Sequence, residues 1–204
     1  MRVEARPLPR GRHGLPREQV TGSQRLRLVR AMAETMAEKG YARTTVADVL
    51  RRARVSRETF YELFSSKEEC FMSAFEEAYR YAGEAISAAP AARRTGTERL
   101  AAILDGYLGA LASDPAAARV FLIEVYAAGP RALERRLELQ RGLVDALARL
   151  LGASGPEERF AVEALVAATV SLVTARLAAG DVDGLRDLHG PLIGLAKRLG
   201  LDDH

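Results

Sequence analysis

Tryptophan is absent from this 204-residue chain, cysteine occurs once and histidine three times. A single cysteine, Cys70, cannot close a disulfide within the chain, which fits a reducing compartment and makes the cytoplasm the expected location. Cys70 falls on an apolar helical face and reads as core rather than as a reactive thiol. His13, His189 and His204 form no metal-spaced cluster, so neither a metal nor a cofactor is expected. No glycine-rich phosphate loop follows a strand, and alternating runs of Val, Ile, Thr and aromatics are missing. Together these absences speak against an enzyme. No run of about 18 or more apolar residues is free of charge, so no membrane-spanning helix is expected. The first twenty residues hold five arginines and no apolar block, unlike a secretory signal.

What is present favours helices. The hydrophobic share of 48% and charged share of 28% are those of an ordinary globular chain, and Ala, Leu and Arg dominate. The expected class is all-α. The net charge of +3 is unevenly spread: residues 1–57 hold 14 Lys or Arg against 5 Asp or Glu, a balance of +9, and residues 58–204 hold 16 against 22, a balance of −6. A basic end on an acidic body fits a phosphate-binding footprint, although a solvated basic tail gives the same numbers. Residues 1–20, with three prolines, two glycines and scattered arginines, read as a flexible basic arm. Such an arm either enters a minor groove or has no role of its own.

The spacing of Leu26, Val29, Ala33, Met36 and Ala37 predicts a first helix over 23–39, closed by Gly40. Thr45 and Asp48 then carry the capping-box pattern of a short helix with Val46, Val49 and Leu50 on its apolar face, ending near Ala53. Ser56 caps a second short helix, 57–64, with Val55 and Phe60 at the positions of a hydrophobic staple. Ser66 and Glu69 open a third and longer helix whose apolar face is Cys70, Phe71, Ala74, Phe75, Ala78, Ala82 and Ile86. Two short capped helices joined by a tight turn, between longer ones, are the layout of a helix-turn-helix whose second helix enters a major groove. Phe60, Leu63 and Phe64 should anchor that helix, leaving Arg57, Glu58, Tyr61 and Glu62 outward. An arginine pairs bidentately with guanine, a carboxylate accepts from the cytosine amino group, and a tyrosine hydroxyl reaches phosphate.

Residues 23–79, and VSRETFYELFSSKEECF above all, closely resemble the DNA-binding domain of the tetracycline-repressor (TetR) family. The resemblance implies an N-terminal three-helix helix-turn-helix domain (21–66) followed by a helical effector-binding and dimerisation domain (67–204). It also implies roles for individual residues. Thr45 would contact phosphate, Ser56, Arg57 and Thr59 would open the recognition helix, Tyr61 would touch the DNA backbone, and Lys67 would hold phosphate. The chain departs from the family where Arg54 and Glu58 replace frequent glycines and Leu63 replaces a histidine or aromatic. A non-glycine turn residue strains the turn, and Glu58 and Glu62 repel phosphate, so on the DNA face they select among sequences rather than add affinity.

After a break at 90–96, helices are expected over 97–113, 115–127, 131–151, 157–179 and 185–199, punctuated at Pro115, Pro130, Pro156 and Gly180. Tyr107, Phe121, Glu124, Tyr126 and Val166 are candidates for a ligand pocket, with Glu124 read either as a ligand contact or, preferably, as part of a solvated face. In helix 157–179, Ala164, Ala167, Ser171, Thr174 and Ala178 form a stripe of small residues opposite Val162, Leu165, Val166, Leu172 and Val173. With Leu188, Leu192 and Leu195, that stripe suits a dimer interface, and burial within one subunit is the alternative. The expected function is a homodimeric regulator bound to a pseudo-palindromic operator in double-stranded DNA, a repressor released by a small-molecule effector. The alternative is control by a protein partner or no response to ligand. A closed apolar cavity of a few hundred Å³ in 97–179 would favour ligand sensing.

Overall fold

The computed structural model describes residues 17–87 and 96–201, and among these every regular element is helical. The first sixteen residues of the expected arm, most of the break before Gly96, His13 and His204 lie outside the described residues. Nine α-helices follow in order: α1 (Arg17–Arg43), α2 (Val46–Ala53), α3 (Arg57–Leu63), α4 (Lys67–Ser87), α5 (Gly96–Ser113), α6 (Pro115–Leu122), α7 (Pro130–Leu151), α8 (Pro156–Ala178) and α9 (His189–Arg198). Two 3₁₀ turns, Glu124–Ala127 and Asp183–Leu188, precede α7 and α9.

α1 is longer than the spacing predicts, because Arg17–Thr21 continue the helix into the stretch expected to be an arm. Its buried face is also rotated: Leu28, Val29, Met32, Thr35 and Met36 are buried, whereas Leu26 is exposed. Gly40 ends the regular helix as expected, since its φ of 77° and ψ of 160° break the run before one last turn to Arg43. The helix expected over 115–127 stops at Leu122 and continues as the 3₁₀ turn that brings Glu124 inside.

Two apolar clusters hold the molecule together. One joins α1, α2, α3 and α4 to Val120 of α6, Val125, Ala128 and Ala132 of α7. The other is built from α5 through α9 around Leu104, Leu108, Leu122, Leu165 and Leu192. The first cluster crosses the boundary expected at residue 66: the N-terminal helices do not pack on themselves alone, because α1 lies directly on α4 and α6. α8 is the one helix among those described that is long and apolar enough to cross a membrane by length and composition. One side of it packs on α6, α7 and α9. That side carries Val162, Leu165, Val166, Val173 and Leu177, all buried.

Candidate nucleic-acid interface and effector cavity

α3 has only seven residues, too few to persist alone when an isolated helix needs about 12–15. It is held by its caps and by packing. The Ser56 side chain accepts from the Thr59 N–H at 3.0 Å, and Phe60 and Phe64 are 0% and 1% exposed. Each such aromatic contributes roughly 1.5–3 kcal/mol on burial. The Phe60 ring meets those of Tyr61 and Phe64 at 5.3 and 5.7 Å, and the Arg25 guanidinium lies 5.0 Å from the centre of the Phe64 ring. With one side fixed in this way, Arg57, Glu58, Tyr61 and Glu62 stand in solvent, and Tyr61 is half exposed although large and aromatic.

α2 is set by the capping box expected from its sequence. The Asp48 carboxylate accepts from the Thr45 N–H at 3.0 Å and the Thr45 hydroxyl at 2.6 Å, and the Asp48 N–H donates back to the Thr45 hydroxyl. The Lys39 ammonium and the Arg51 guanidinium pair with the same carboxylate. Lys39 in the first place, then Thr45, holds the Asp48 carboxyl far below its ordinary value of 3.8. Between the two helices Arg54 takes φ 53° and ψ 49°, the one left-handed non-glycine among the described residues. This is the position where the sequence lacks the family's usual glycine, and such a backbone costs about 1–2 kcal/mol.

The hydroxyls of Thr45 and Ser56 cap their helices, and the Thr59 hydroxyl accepts from that of Ser56. Lys67 is also engaged within the chain. Its ammonium donates to the carbonyls of Tyr41 and Thr44, both at 3.1 Å, and sits 4.0 Å from the centre of the Tyr41 ring. Burial pulls its pKa down. Lys67 fastens the start of α4 to the end of α1. Arg43, Arg54 and Arg57 are exposed and make no ion pair among the described residues. Sequence reasoning passed over Arg43 and saw Arg54 only as a strained turn, and the basic balance of residues 1–57 was the signal for both.

The pocket candidates separate in the structure. Tyr107 and Val166 line an apolar cavity of about 50 Å³ together with Ile86, Leu100, Leu143 and Thr169. Thr169 turns its hydroxyl away to the Leu165 carbonyl at 2.8 Å, which leaves Tyr107 as the polar group of the wall. Burial raises the Tyr107 pKa, and the Arg136 charge opposes that rise. Phe121, Glu124 and Tyr126 do not line this cavity. Phe121 stacks with Phe75 and Tyr79 at 5.4 and 5.8 Å. Tyr126 is exposed, with the Arg136 guanidinium over its ring. Glu124 is buried rather than solvated: it accepts from the Tyr41 N–H at 2.7 Å and faces Arg119 at 3.7 Å. The cavity is also far smaller than the few hundred Å³ that the sequence led us to look for.

The interface candidates divide as well. Leu188 and Leu192 are buried within the subunit, and Leu195 is half-buried in the same core. Ala167 and Ser171 are exposed and Ala164 is half-buried, alongside Phe160, which is 71% exposed. Cys70 is buried, with its thiol pushed up to about 12. His189 is held by the Ala101 carbonyl at 2.9 Å. No cluster of metal-ligating side chains occurs among the described residues.

Comparison with known proteins converges on the same domain. The sequence model described as bacterial regulatory proteins, tetR family, matches residues 28–74, which run from within α1 into α4. A fatty acid metabolism regulator protein of Bacillus subtilis (strain 168) is 25% identical over 126 residues, a stretch covering 62% of this chain and 65% of that relative. A TetR-like transcriptional regulator from Rhodococcus sp. RHA1 superposes with a TM-score of 0.73 at 23% identity, covering 90% of this chain and 97% of its own. The regulator FadR of Bacillus subtilis, solved in complex with stearoyl-CoA, gives a TM-score of 0.70 at 22% identity over 83% of this chain and 96% of its own. At those identities the two structures establish a shared fold. Residues 28–74 thus match the sequence model of the tetR family, and the chain over most of its length shares the fold of solved TetR-like regulators.

Proposed function

We propose that the protein is a cytoplasmic transcription regulator and not an enzyme, and that it binds a two-fold operator as a homodimer and releases it when an apolar ligand enters the cavity among α4, α5, α7 and α8. The observation that carries the DNA half of this reading is the face of α3: Phe60 and Phe64 lock one side inward, so Arg57, Glu58 and Tyr61 have nowhere to go but out. A two-fold arrangement doubles a weak half-site interaction, and the open stripe on α8 offers a surface where two copies can meet.

The ligand half rests on where the cavity lies. A void of about 50 Å³ exceeds what one water needs and falls short of the ~150 Å³ that holds benzene. An occupant of any length must therefore part the surrounding helices. Ile86 belongs to both the cavity wall and α4, and α4 starts directly after α3. A ligand that prefers the parted state shifts α4, and with it the separation of two recognition helices that must sit about 34 Å apart. The relative named for fatty acid metabolism and the neighbour holding stearoyl-CoA support a long apolar chain as that ligand. The small cavity favours one rival reading, a regulator controlled by a protein partner.

Selection of bound fragments from a random DNA library, followed by titration of the winning site with and without stearoyl-CoA, tests both halves. The reading expects a symmetric site with half-site centres about 10 base pairs apart. It further expects weaker binding once the ligand is added. An asymmetric or absent consensus overturns the DNA half. Unchanged affinity at saturating ligand hands the effector domain to the rival.

A further inference from the structure

The exposed arginines of the four N-terminal helices and their turns sort into two groups. Arg30, Arg51 and Arg52 pair with the carboxylates of Glu34, Asp48 and Glu38, and Arg25 donates to the Ser73 hydroxyl beside the Phe64 ring. Arg43, Arg54 and Arg57 have no carboxylate within ion-pair distance among the described residues. An acid was at hand: Glu58 follows Arg57 directly and stands four residues after Arg54, yet it too is exposed and has no ion pair. These three cations fall at the two ends of α2 and the first residue of α3. Arg43 precedes the Thr45 cap, and Arg54 closes the helix. The eight residues of α2 span about 12 Å, and in a helix-turn-helix this is the helix that crosses the DNA backbone. The Arg43 Nε donates to the Lys39 carbonyl at 2.7 Å, which holds the guanidinium at the end of α1 and leaves its two terminal NH2 groups for an anion. The resemblance gives phosphate to Thr45 and Lys67. In the structure the Thr45 hydroxyl donates to Asp48 and the Lys67 ammonium to two carbonyls.

We propose that Arg43 and Arg54 are phosphate anchors at the two ends of α2, each taking a phosphodiester of the DNA backbone, while Arg57 is left to the bases. The guanidinium fork meets the two free oxygens of a phosphodiester in one bidentate contact. Such contacts set affinity and its dependence on salt, and they carry no choice of sequence. The inference rests on the DNA half of the function proposed above and names the side chains that supply its sequence-independent part.

The test titrates the full-length protein against the selected duplex and a scrambled one, by fluorescence anisotropy, at salt concentrations from about 50 to about 200 mM. Arg43→Ala and Arg54→Ala should each weaken both duplexes alike, by about tenfold or more, and leave the ratio between the two within about twofold of wild type. The slope of log affinity against log salt should become shallower by roughly 1 for each phosphate released, hence by about 2 for two subunits. Alanine at position 54 meets the same left-handed backbone as arginine, so its effect reports the charge rather than the turn, and Arg54→Lys should keep part of the affinity. Arg30→Ala removes an exposed cation that is already paired, roughly 20 Å along α1 from Arg43, and should leave the slope as it is. Wild-type slopes in Arg43→Ala and Arg54→Ala overturn the anchors and leave the DNA reading standing. So does an equal loss in Arg30→Ala, which traces the effect to net charge, and so does a loss confined to the selected duplex, which makes the two residues base readers. If wild type prefers no duplex at any salt concentration, the DNA half of the proposed function falls and this inference falls with it.

Discussion

The Glu124 carboxylate accepts a hydrogen bond from the Tyr41 backbone N–H at 2.7 Å, across 83 residues of sequence. It lands on the residue after Gly40, where α1 breaks before the first helix of the DNA-reading pair. Arg119 stands behind the other carboxylate oxygen and also donates to the Leu177 carbonyl at the end of α8, at 3.1 Å. One acidic side chain therefore ties the reader to α6 and, through Arg119, to α8. Replacing Glu124 with Ala leaves a backbone donor without its acceptor and Arg119 without its anion, a loss of about 1–3 kcal/mol. In a protein of this size that is about 2–4 °C of melting temperature for each kcal/mol. Glu124→Gln keeps the acceptor and should lose less. Thermal unfolding of the two variants side by side checks the order, and an unperturbed Ala variant would falsify the tie.

On the DNA face, Arg57→Ala and Tyr61→Ala should both weaken operator binding without unfolding the protein, because neither side chain is buried. They should differ in kind. Loss of a bidentate arginine–guanine pair costs about 1–3 kcal/mol per half-site and relaxes the choice of base there. Loss of a phosphate contact weakens all sequences alike. Gel-shift titrations against the selected site and against a scrambled duplex separate the two. Wild-type affinity in both variants would remove α3 as the reading element.

Arg54 stores strain that a glycine would release. Its left-handed backbone costs about 1–2 kcal/mol, part of which returns as the greater freedom of glycine in the unfolded chain. Arg54→Gly should therefore stabilise the protein by about 1 kcal/mol, while a β-branched residue such as Val should destabilise it. The same glycine variant removes an unpaired cation beside the DNA face, so operator affinity should fall as stability rises. Denaturant unfolding together with DNA titration shows whether the two move in opposite directions.

These sites were legible to different degrees. α2 and α3 could be read almost to the residue, because their ends are written in local pairs, Thr45 with Asp48 and Ser56 with Thr59, that need no tertiary partner. The face of α1 was misjudged by the inclusion of Leu26, since only the arrival of α4 and α6 decides which side of that helix is covered. Glu124 could not be placed from VFLIEVYAAG, because its deciding partner, Tyr41, lies 83 residues away in the sequence. Leu188 and Leu192 have the pattern of an interface and fill the subunit's own core instead.

The Asp48 cluster predicts a pH dependence with a definite sign. Lys39 first, then Thr45, favours the charged carboxylate, so its folded pKa lies well below the ordinary value of 3.8. Its stabilising contribution is complete above that ordinary value and is lost as the pH falls toward the depressed folded one. Acidification below about pH 4 should loosen the start of α2. Asp48→Asn, which cannot form the charged pairs, should be less stable at neutral pH and flatter in its response over the same acid range. Melting curves from pH 7 down to pH 2 for both proteins supply the check, and parallel curves would sink it.

The open side of α8 makes the last prediction. Phe160, Ala167, Ser171 and Ala175 share that side at near-helical steps, and each is exposed in the single subunit. Small residues let two helices approach closely, and a large aromatic left in water next to them gains by being covered. A charged side chain in the middle of the stripe prevents both, so Ala167→Glu should turn a dimer into a monomer in sedimentation velocity. It should leave the helical content unchanged, because Ala167 makes no part of the subunit core. Operator affinity should then collapse, since the two half-sites are no longer linked and each recognition helix binds alone. If Ala167→Glu still sediments as a dimer with full affinity for the symmetric site, the copies meet through another surface. The spacing of the recognition helices would then not be governed by α8.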